Sequence, residues 1–187
     1  HRGDGGDAKA CAGDAGQGAM KQENGGSLGR VMLRKARIED AKTIHRMINA
    51  SSAKGEMLPR SLMDIYGSLR DFFVFVDEET DGIVGICAMC IVWENLAEIR
   101  SLYVEEDRRK SGIGRKLVEA CISEAITLGL FRIFALTYQK TFFECLGFHQ
   151  VDRAILPEKI WSDCFRCSKY PDYCDETAVL WSCDDKS

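Results

Sequence analysis

A glycine loop that carries several cations lies between a strand-like run and a helical segment of this chain. The loop is Arg109-Lys-Ser-Gly-Ile-Gly114, and it follows the apolar run 96–104. The first backbone N–H groups of a helix have no partner within the helix, and the helix dipole adds positive potential there. Gly112 and Gly114 allow the backbone to approach a ligand closely. This arrangement is suited to a pyrophosphate group.

Two familiar phosphate-binding loops do not match this segment. A Walker loop needs Gly-x-x-x-x-Gly-Lys-Ser/Thr, and the chain has no such spacing. The dinucleotide fingerprint fails because Leu117 stands where its third glycine is needed. The pattern Arg-x-x-Gly-x-Gly remains. The alternative interpretation is a solvated basic loop that only joins a strand to a helix.

Hydrophobic periodicity around the loop predicts a domain of alternating strands and helices. The central helix is predicted over 112–128, with an apolar face made by Leu117, Val118, Cys121, Ala125 and Leu128. Gly129 is placed to end it. The other predicted elements are strands at 31–37, 71–77, 82–93, 96–104, 131–137, one opening at 147, and 177–181, with helices from 39, over 62–69 and over 141–145. This order predicts a mixed α/β fold.

Composition limits the class of protein. The 187 residues suffice for one domain, 45% of them are apolar, and the net charge of −4 excludes a general nucleic-acid binder. The longest uncharged apolar run, 82–93, is too short to span a bilayer, so we expect no membrane association. Cys87, Cys90, Cys121 and Cys145 lie in apolar segments, which predicts reduced core thiols and a cytoplasmic location.

The first part of the chain differs from the rest. Residues 1–30 contain Gly, Ala, Asp and polar residues with almost no large apolar side chain. Such a composition cannot offset the entropy of ordering, so we expect this segment to be disordered. The folded domain is therefore predicted over 31–187.

A cysteine-rich stretch at 164–183 ends this domain. Cys164, Cys167 and Cys174 include a Cys-x-x-Cys pair, which is half of a zinc site. A fourth ligand would have to come from Cys183, His149 or an acid. A disulfide or free thiols explain the same residues, so we assign no firm metal.

The loop and its neighbours resemble the GNAT superfamily of N-acetyltransferases, in which Arg-x-x-Gly-x-Gly binds the pyrophosphate of acetyl-CoA. The resemblance implies an α/β (α+β) fold with helices on both faces of a mixed central sheet. That sheet would splay between the strands 96–104 and 131–137, where the pantetheine arm enters. The implied acetyl-CoA contacts are Leu102, Tyr103, Val104, Arg109, Lys110, Ser111, Gly112, Ile113, Gly114 and Arg115.

Within this superfamily the chain resembles the acetyltransferase domain of N-acetylglutamate synthases over about 33–152. The matching segments are Leu58-Pro-Arg60-Ser61, Ala97-Glu-Ile-Arg100, the glycine loop, Ala135-Leu-Thr-Tyr138 and Phe142-Phe-Glu-Cys-Leu-Gly-Phe148. The resemblance implies acetylation of L-glutamate in arginine biosynthesis by a short, stand-alone form, because nothing here corresponds to the amino-acid-kinase-like domain of long synthases. A homodimer stays open.

The chemistry needs a base and, for glutamate, partners for two carboxylates. Glu98 is the candidate base, directly or through a water, and the alternative is an ordinary ion pair. Arg60 and Arg100 are the candidate carboxylate partners because a guanidinium binds a carboxylate with two hydrogen bonds. The two-residue period of a strand predicts that Glu98 shares a face with Arg100, Leu102 and Val104. The backbone of 102–104 would polarise the thioester carbonyl.

The leaving thiolate needs a proton, and here the chain departs from many GNAT enzymes. They carry a tyrosine where this chain has Phe143. Tyr138 is the candidate general acid, with Tyr103 or water as alternatives. Two other functions stay open: a GNAT enzyme for another small amine or a protein lysine, and a non-catalytic acetyl-CoA sensor or partner-binding module.

Overall fold

The computed structural model describes residues 31–156 and 175–183. Within these ranges the strands are β1 (Val31–Lys35), β2 (Phe72–Asp77), β3 (Gly82–Trp93), β4 (Leu96–Val104), β5 (Arg132–Thr137), β6 (His149–Gln150) and β7 (Thr177–Ser182). The helices are α1 (Ala41–Ala53), α2 (Leu62–Gly67), α3 (Ile113–Thr127) and α4 (Lys140–Glu144). The predicted disordered segment 1–30 and the candidate zinc ligands Cys164, Cys167 and Cys174 lie outside the described residues.

The strands of the described ranges form one mixed sheet in the order β1-β2-β3-β4-β5-β7-β6. Neighbouring strands are antiparallel except β4 and β5, which are parallel. A parallel pair needs a long crossover, and α3 supplies it. The predicted order of elements and the mixed α/β class are confirmed.

Each face of the sheet is covered by its own helices. On one face, Leu117, Val118 and Cys121 of α3 pack with Cys87 and Ile133 of the sheet. On the opposite face, α1 and α2 bury Ile44, Ile48 and Ile65 against β2 and β3. In both long helices the regularly spaced apolar residues are therefore those that pack against the sheet.

The end of α3 differs from the prediction in one residue. Leu128 was expected on the apolar face, but its side chain is 54% exposed. The helix ends at Thr127, and Gly129 adopts a left-handed φ of +80°. Leu128 still donates to the Glu124 carbonyl at 3.0 Å, so it is the last residue on the helical path before the chain turns at Gly129, and its side chain lies beyond Ala125, the last buried residue of the helix.

The sheet opens between its two parallel strands. Only Ala97 and Glu98 of β4 are in register with β5, where they pair with Ile133 and Phe134. The rest of β4 continues along β3 as far as Val104. A gap therefore separates the carboxyl-terminal half of β4 from β5, as the resemblance implied.

Candidate active site

A β-bulge changes the direction of side chains halfway along β4. The register with β3 shifts between Ile86 and Ala88, whose partners are Tyr103 and Arg100. Between these two pairs, β4 contains one residue more than β3. Ser101 lies within this bulge and has a left-handed φ of +54°. Such a bulge interrupts the two-residue alternation of a strand.

Because of the bulge, the side chains in the second half of β4 lie on other faces of the sheet than the sequence predicts. Leu102 and Val104 pack into the core beneath α3, with Ala97 and Ile99. Tyr103 packs on the opposite face, with the residues buried by α1 and α2. The expectation that Leu102 and Val104 share a face with Glu98 is therefore wrong, because it assumed an unbroken period of two.

The backbone of Val104 faces the gap. The Glu105 N–H donates to the Val84 carbonyl at 2.9 Å, so Glu105 forms a hydrogen-bonded pair with β3. Val104 is the next residue back and is in register with Gly85. Hydrogen-bonded and non-hydrogen-bonded pairs alternate in an antiparallel ladder, so the N–H and C=O of Val104 point away from β3.

The glycine loop presents its backbone N–H groups at the start of α3. Lys110 and Gly112 have left-handed φ values of +64° and +85°. Gly112 is the N-cap residue of α3, and no side chain caps the helix there. The first helical hydrogen bond runs from the Lys116 N–H to the Gly112 carbonyl at 3.1 Å. The N–H groups of the first turn are thus available to an anion.

The cations around the loop have different roles. Arg109 donates through Nε to the Val104 carbonyl at 3.1 Å, and its guanidinium lies 6.0 Å from the centre of the Tyr103 ring. Lys110 and Ser111 are exposed at the loop. Arg115 lies 3.6 Å from Glu119 one turn along α3. Arg109 therefore joins the loop to the end of β4.

Arg108 is not a free loop cation, although it stands beside the others in the sequence. Its guanidinium donates to Oδ2 of Asp77 at 2.5 Å. Asp77 ends β2 and is 1% exposed. The pKa of the Asp77 carboxyl is lowered, first by the hydrogen bond from the Glu79 N–H and also by Arg108, against the effect of burial. Arg108 thus anchors the loop to the β2–β3 hairpin.

A glycine of β3 allows α3 to lie close to the sheet. A Cβ atom on Gly85 would lie 2.9 Å from Cγ2 of Ile113 and 3.0 Å from Cδ1 of Leu117. At Gly114 a Cβ atom would make only an ordinary van der Waals contact, 3.4 Å from the ring of Phe142. The position of the glycine loop therefore depends on a missing side chain in β3.

Four polar side chains meet on the face of the sheet that α1 covers. Glu98 and Arg100 of β4 approach each other to 3.9 Å. Cys90 is in register with Glu98, and its thiol donates to Oδ2 of Asp71 at 3.2 Å. Burial raises the pKa of the Cys90 thiol, and Arg100 opposes this effect while Asp71 and Glu98 add to it. The structure thus places Glu98 beside Arg100, half-buried, where the gap begins.

Arg60 approaches this face on another element. It precedes α2 and is half-buried, and its carbonyl accepts a hydrogen bond from the Asn49 side chain of α1 at 2.9 Å. Ser61 then begins α2 with a capping box, in which its hydroxyl accepts from the Asp64 N–H at 3.1 Å. Helix α1 covers the face that bears Glu98 and Arg100, so the backbone of Arg60, which is hydrogen-bonded to α1, lies on that side of the sheet.

The candidate proton donors lie in different surroundings. Tyr138 follows β5 directly and is 40% exposed. It lies four residues beyond Phe134, the partner of Glu98, which is about 13 Å along an extended chain. Tyr138 therefore lies nearer the mouth of the gap than Glu98.

The rings of Tyr103 and Phe143 are less exposed to solvent than that of Tyr138. Burial and the hydrogen bond to Glu105 raise the pKa of Tyr103, whose hydroxyl lies 3.2 Å from that carboxylate. Phe143 is 3% exposed and packs edge-on against Phe148 in the core.

Sequence reasoning missed several residues that shape the site. Asn49, Asp77 and Gly85 act on the site through contacts with distant parts of the chain. Gly85 inside a strand pattern was the one available signal, since such a glycine marks a close approach of another element. In the described ranges, no group of three or more His, Cys, Asp or Glu could hold a metal ion, and no helix is long and apolar enough to cross a membrane.

Comparison with known proteins agrees with this architecture. The model of the acetyltransferase (GNAT) domain matches residues 69–150. An uncharacterized N-acetyltransferase of Chlorobaculum tepidum is 38% identical over 148 residues, which are 79% of this chain and 94% of that protein. The amino-acid acetyltransferase of Mycobacterium tuberculosis is 28% identical over 138 residues, 73% of this chain and 79% of that protein.

A solved structure gives the same fold. The N-acetylglutamate synthase of Neisseria gonorrhoeae, crystallised with coenzyme A and N-acetyl-glutamate, has a TM-score of 0.73 at 22% identity. The match covers 82% of this chain and 35% of that one. The parallel β4–β5 gap, the uncapped α3 and the match with the Chlorobaculum protein together identify this chain as a member of the GNAT family of N-acetyltransferases.

Proposed function

We propose that this enzyme transfers the acetyl group of acetyl-CoA to the α-amine of L-glutamate. The observation that carries the proposal is the pairing of Glu98 with Arg100 at 3.9 Å, at the base of the gap and on the face that also bears Arg60. A carboxylate suited to accept a proton lies there beside cations suited to bind an acidic acceptor. Residues 31–187 form the acetyltransferase domain in this proposal.

Acetyl-CoA fits the open side of the sheet. The uncapped first turn of α3 and the left-handed residues Lys110 and Gly112 suit the pyrophosphate, with Arg109 and Arg115 close by. The pantetheine arm would lie along the backbone of 102–104, where Val104 turns its polar groups into the gap. A backbone N–H there would polarise the thioester carbonyl.

The acceptor fits the face of the sheet that α1 covers, where Glu98 and Arg100 lie. L-Glutamate carries two carboxylates, and Arg60 and Arg100 each offer a planar fork for one of them. A cationic acceptor such as a polyamine would be repelled by the same pair. The arginines therefore favour an amino acid with an acidic side chain over other amines.

The transfer is direct and sequential in this proposal. Glu98 takes a proton from the acceptor ammonium, directly or through a water, and the neutral amine attacks the thioester carbonyl. The C–N bond forms, the attacking nitrogen loses its second proton to solvent, the C–S bond breaks, and CoA leaves as a thiolate. Tyr138 or water returns a proton to that thiolate, and the products are CoA and the N-acetylated amino acid.

The named relatives support this acceptor. One is an amino-acid acetyltransferase, and the solved synthase was crystallised with N-acetyl-glutamate. A place in arginine biosynthesis follows if L-glutamate is the acceptor. In the described ranges, the buried residues Cys87, Cys90 and Cys121 carry thiols and form no disulfide, which supports a cytoplasmic location in this proposal.

The test is a CoA-release assay with purified protein against L-glutamate, other amino acids, spermidine and a lysine peptide. We expect turnover with L-glutamate, a rise in its KM of about tenfold or more in Arg60→Ala and Arg100→Ala, and loss of kcat in Glu98→Gln. Acetyl-CoA affinity should stay unchanged in all three variants. Turnover of cationic amines alone would contradict the acceptor, and tight acetyl-CoA binding without turnover would favour a sensor.

A further inference from the structure

We infer that Asn49 of α1 is a positioning residue for the acceptor, acting through Arg60. The inference rests on the proposed function, because it takes Arg60 as a residue that binds an acceptor carboxylate. The Asn49 side-chain amide donates to the His45 carbonyl and to the Arg60 carbonyl, each at 2.9 Å. One side chain thus joins α1 to the loop that carries Arg60.

The first of these hydrogen bonds fixes the orientation of the amide. His45 is one helical turn before Asn49, so its carbonyl holds the amide against α1. The second hydrogen bond then reaches a residue 11 positions along the chain. Because the amide is held by a rigid helix, the Arg60 carbonyl is held in a fixed place relative to α1.

The rest of the loop is tied at its two ends. At its start, Ser51 donates its hydroxyl to the Glu56 carboxylate at 2.8 Å. At its end, the Ser61 N–H donates to the Asp64 carboxylate at 3.1 Å. Asn49 supplies the contact at Arg60 itself. A guanidinium on a fixed backbone loses less entropy when it binds a carboxylate than one on a free loop.

The helices do not depend on this contact. Ile44 and Ile48 of α1 and Ile65 of α2 are fully buried against the sheet. Alanine at position 49 suits a helix interior, since it is the best helix former. Asn49→Ala should therefore release the Arg60 loop while the fold stays intact.

The experiment is a double-mutant cycle with Asn49→Ala, Arg60→Ala and the combined variant, and Lys42→Ala as an exposed control on the same helix. We expect Asn49→Ala to raise the KM for L-glutamate about three- to tenfold, with the KM for acetyl-CoA and the melting temperature unchanged. In the Arg60→Ala background, Asn49→Ala should have no further effect, because the residue it positions is gone.

Asn49→Asp gives an independent check. It keeps the shape of the side chain but cannot donate to either carbonyl, so it should reproduce the alanine effect. Additive effects in the cycle, or equal rises in both KM values, would overturn the positioning role. If the wild type acetylates only another amine, the proposed function fails, and the cycle is then measured on that amine, where additivity would still overturn the inference.

Discussion

Asp77 and Arg108 join the β2–β3 hairpin to the glycine loop. Their atoms Oδ2 and Nη2 lie 2.5 Å apart, although the residues are 31 positions apart in the chain. Asp77 is nearly buried, and its Oδ1 also accepts from the Glu79 N–H at 2.9 Å. The hydrogen bond from Glu79 therefore holds the carboxylate in the orientation in which it binds Arg108. The turn that precedes the loop is therefore fixed by a residue of β2 that lies outside the glycine loop itself.

Asp77→Asn should weaken acetyl-CoA binding. The amide has the shape of the carboxylate, but it does not attract the guanidinium, so the loop loses its anchor. We expect the KM for acetyl-CoA to rise about three- to tenfold, with the KM for L-glutamate within about twofold of wild type. Steady-state kinetics with each substrate varied in turn measures this. Glu78→Gln, an exposed change one residue away, serves as the control.

Gly85→Ala should move the start of α3. The new methyl group would lie 2.9 Å from Cγ2 of Ile113, inside the packed core, so the helix or the strand must shift. We expect a loss of about 1–3 kcal/mol in the free energy of unfolding and a higher KM for acetyl-CoA. Urea unfolding and kinetics measure the two effects. Gly67→Ala, where a Cβ meets nothing within 4 Å, should be close to neutral.

The sequence predicted those features of the fold that depend on local periodicity. The run Gly82–Trp93 was bounded correctly as a strand, because its apolar stretch stops at turn residues on both sides. The glycine loop was placed correctly before α3, because the pattern of glycines and cations is local. Both predictions needed only neighbouring residues.

Features that depend on distant contacts could not be predicted. Ser101 carries no sign that it will adopt a left-handed φ, so the bulge and the change of face in β4 were missed. Asp77 is an ordinary strand end in the sequence, and only the folded chain brings it to Arg108. Asn49 is likewise one polar residue among several on a helix in the sequence, and only the folded chain brings its amide to the Arg60 carbonyl.

Asp40 should make stability depend on pH in the acid range. It is 6% exposed and accepts from Arg34 at 2.6 Å and from the Arg37 N–H at 2.6 Å. Burial raises the pKa of Asp40, but these hydrogen bonds outweigh it and bring the pKa below its usual value. Because the folded pKa is depressed, its contribution is present above the unfolded pKa and is lost as pH falls through the folded one.

Asp40→Asn tests this sign. At pH 7 the variant should lose about 2 kcal/mol in the free energy of unfolding, because hydrogen bonds to a charged group are removed. Below about pH 4 the unfolded chain takes up a proton at Asp40 more readily than the folded chain, so the stability of the wild type should fall towards that of the variant. Urea unfolding between pH 7 and pH 3 measures the difference. A difference that stays constant over this range would contradict the role of the Asp40 charge.

The bulge in β4 can be tested through Ser101, because its left-handed backbone discriminates between side chains. Glycine adopts a φ of +54° without strain, so Ser101→Gly should keep the bulge, the stability and the KM for acetyl-CoA. Valine is β-branched and strongly disfavours this conformation. Ser101→Val should therefore lose about 1–3 kcal/mol in the free energy of unfolding or force β4 into regular pairing.

Regular pairing would turn the backbone of 102–104 away from its present direction and raise the KM for acetyl-CoA by about tenfold. Equal kinetics and equal melting temperatures for the glycine and valine variants would show that the bulge does not set the acetyl-CoA site.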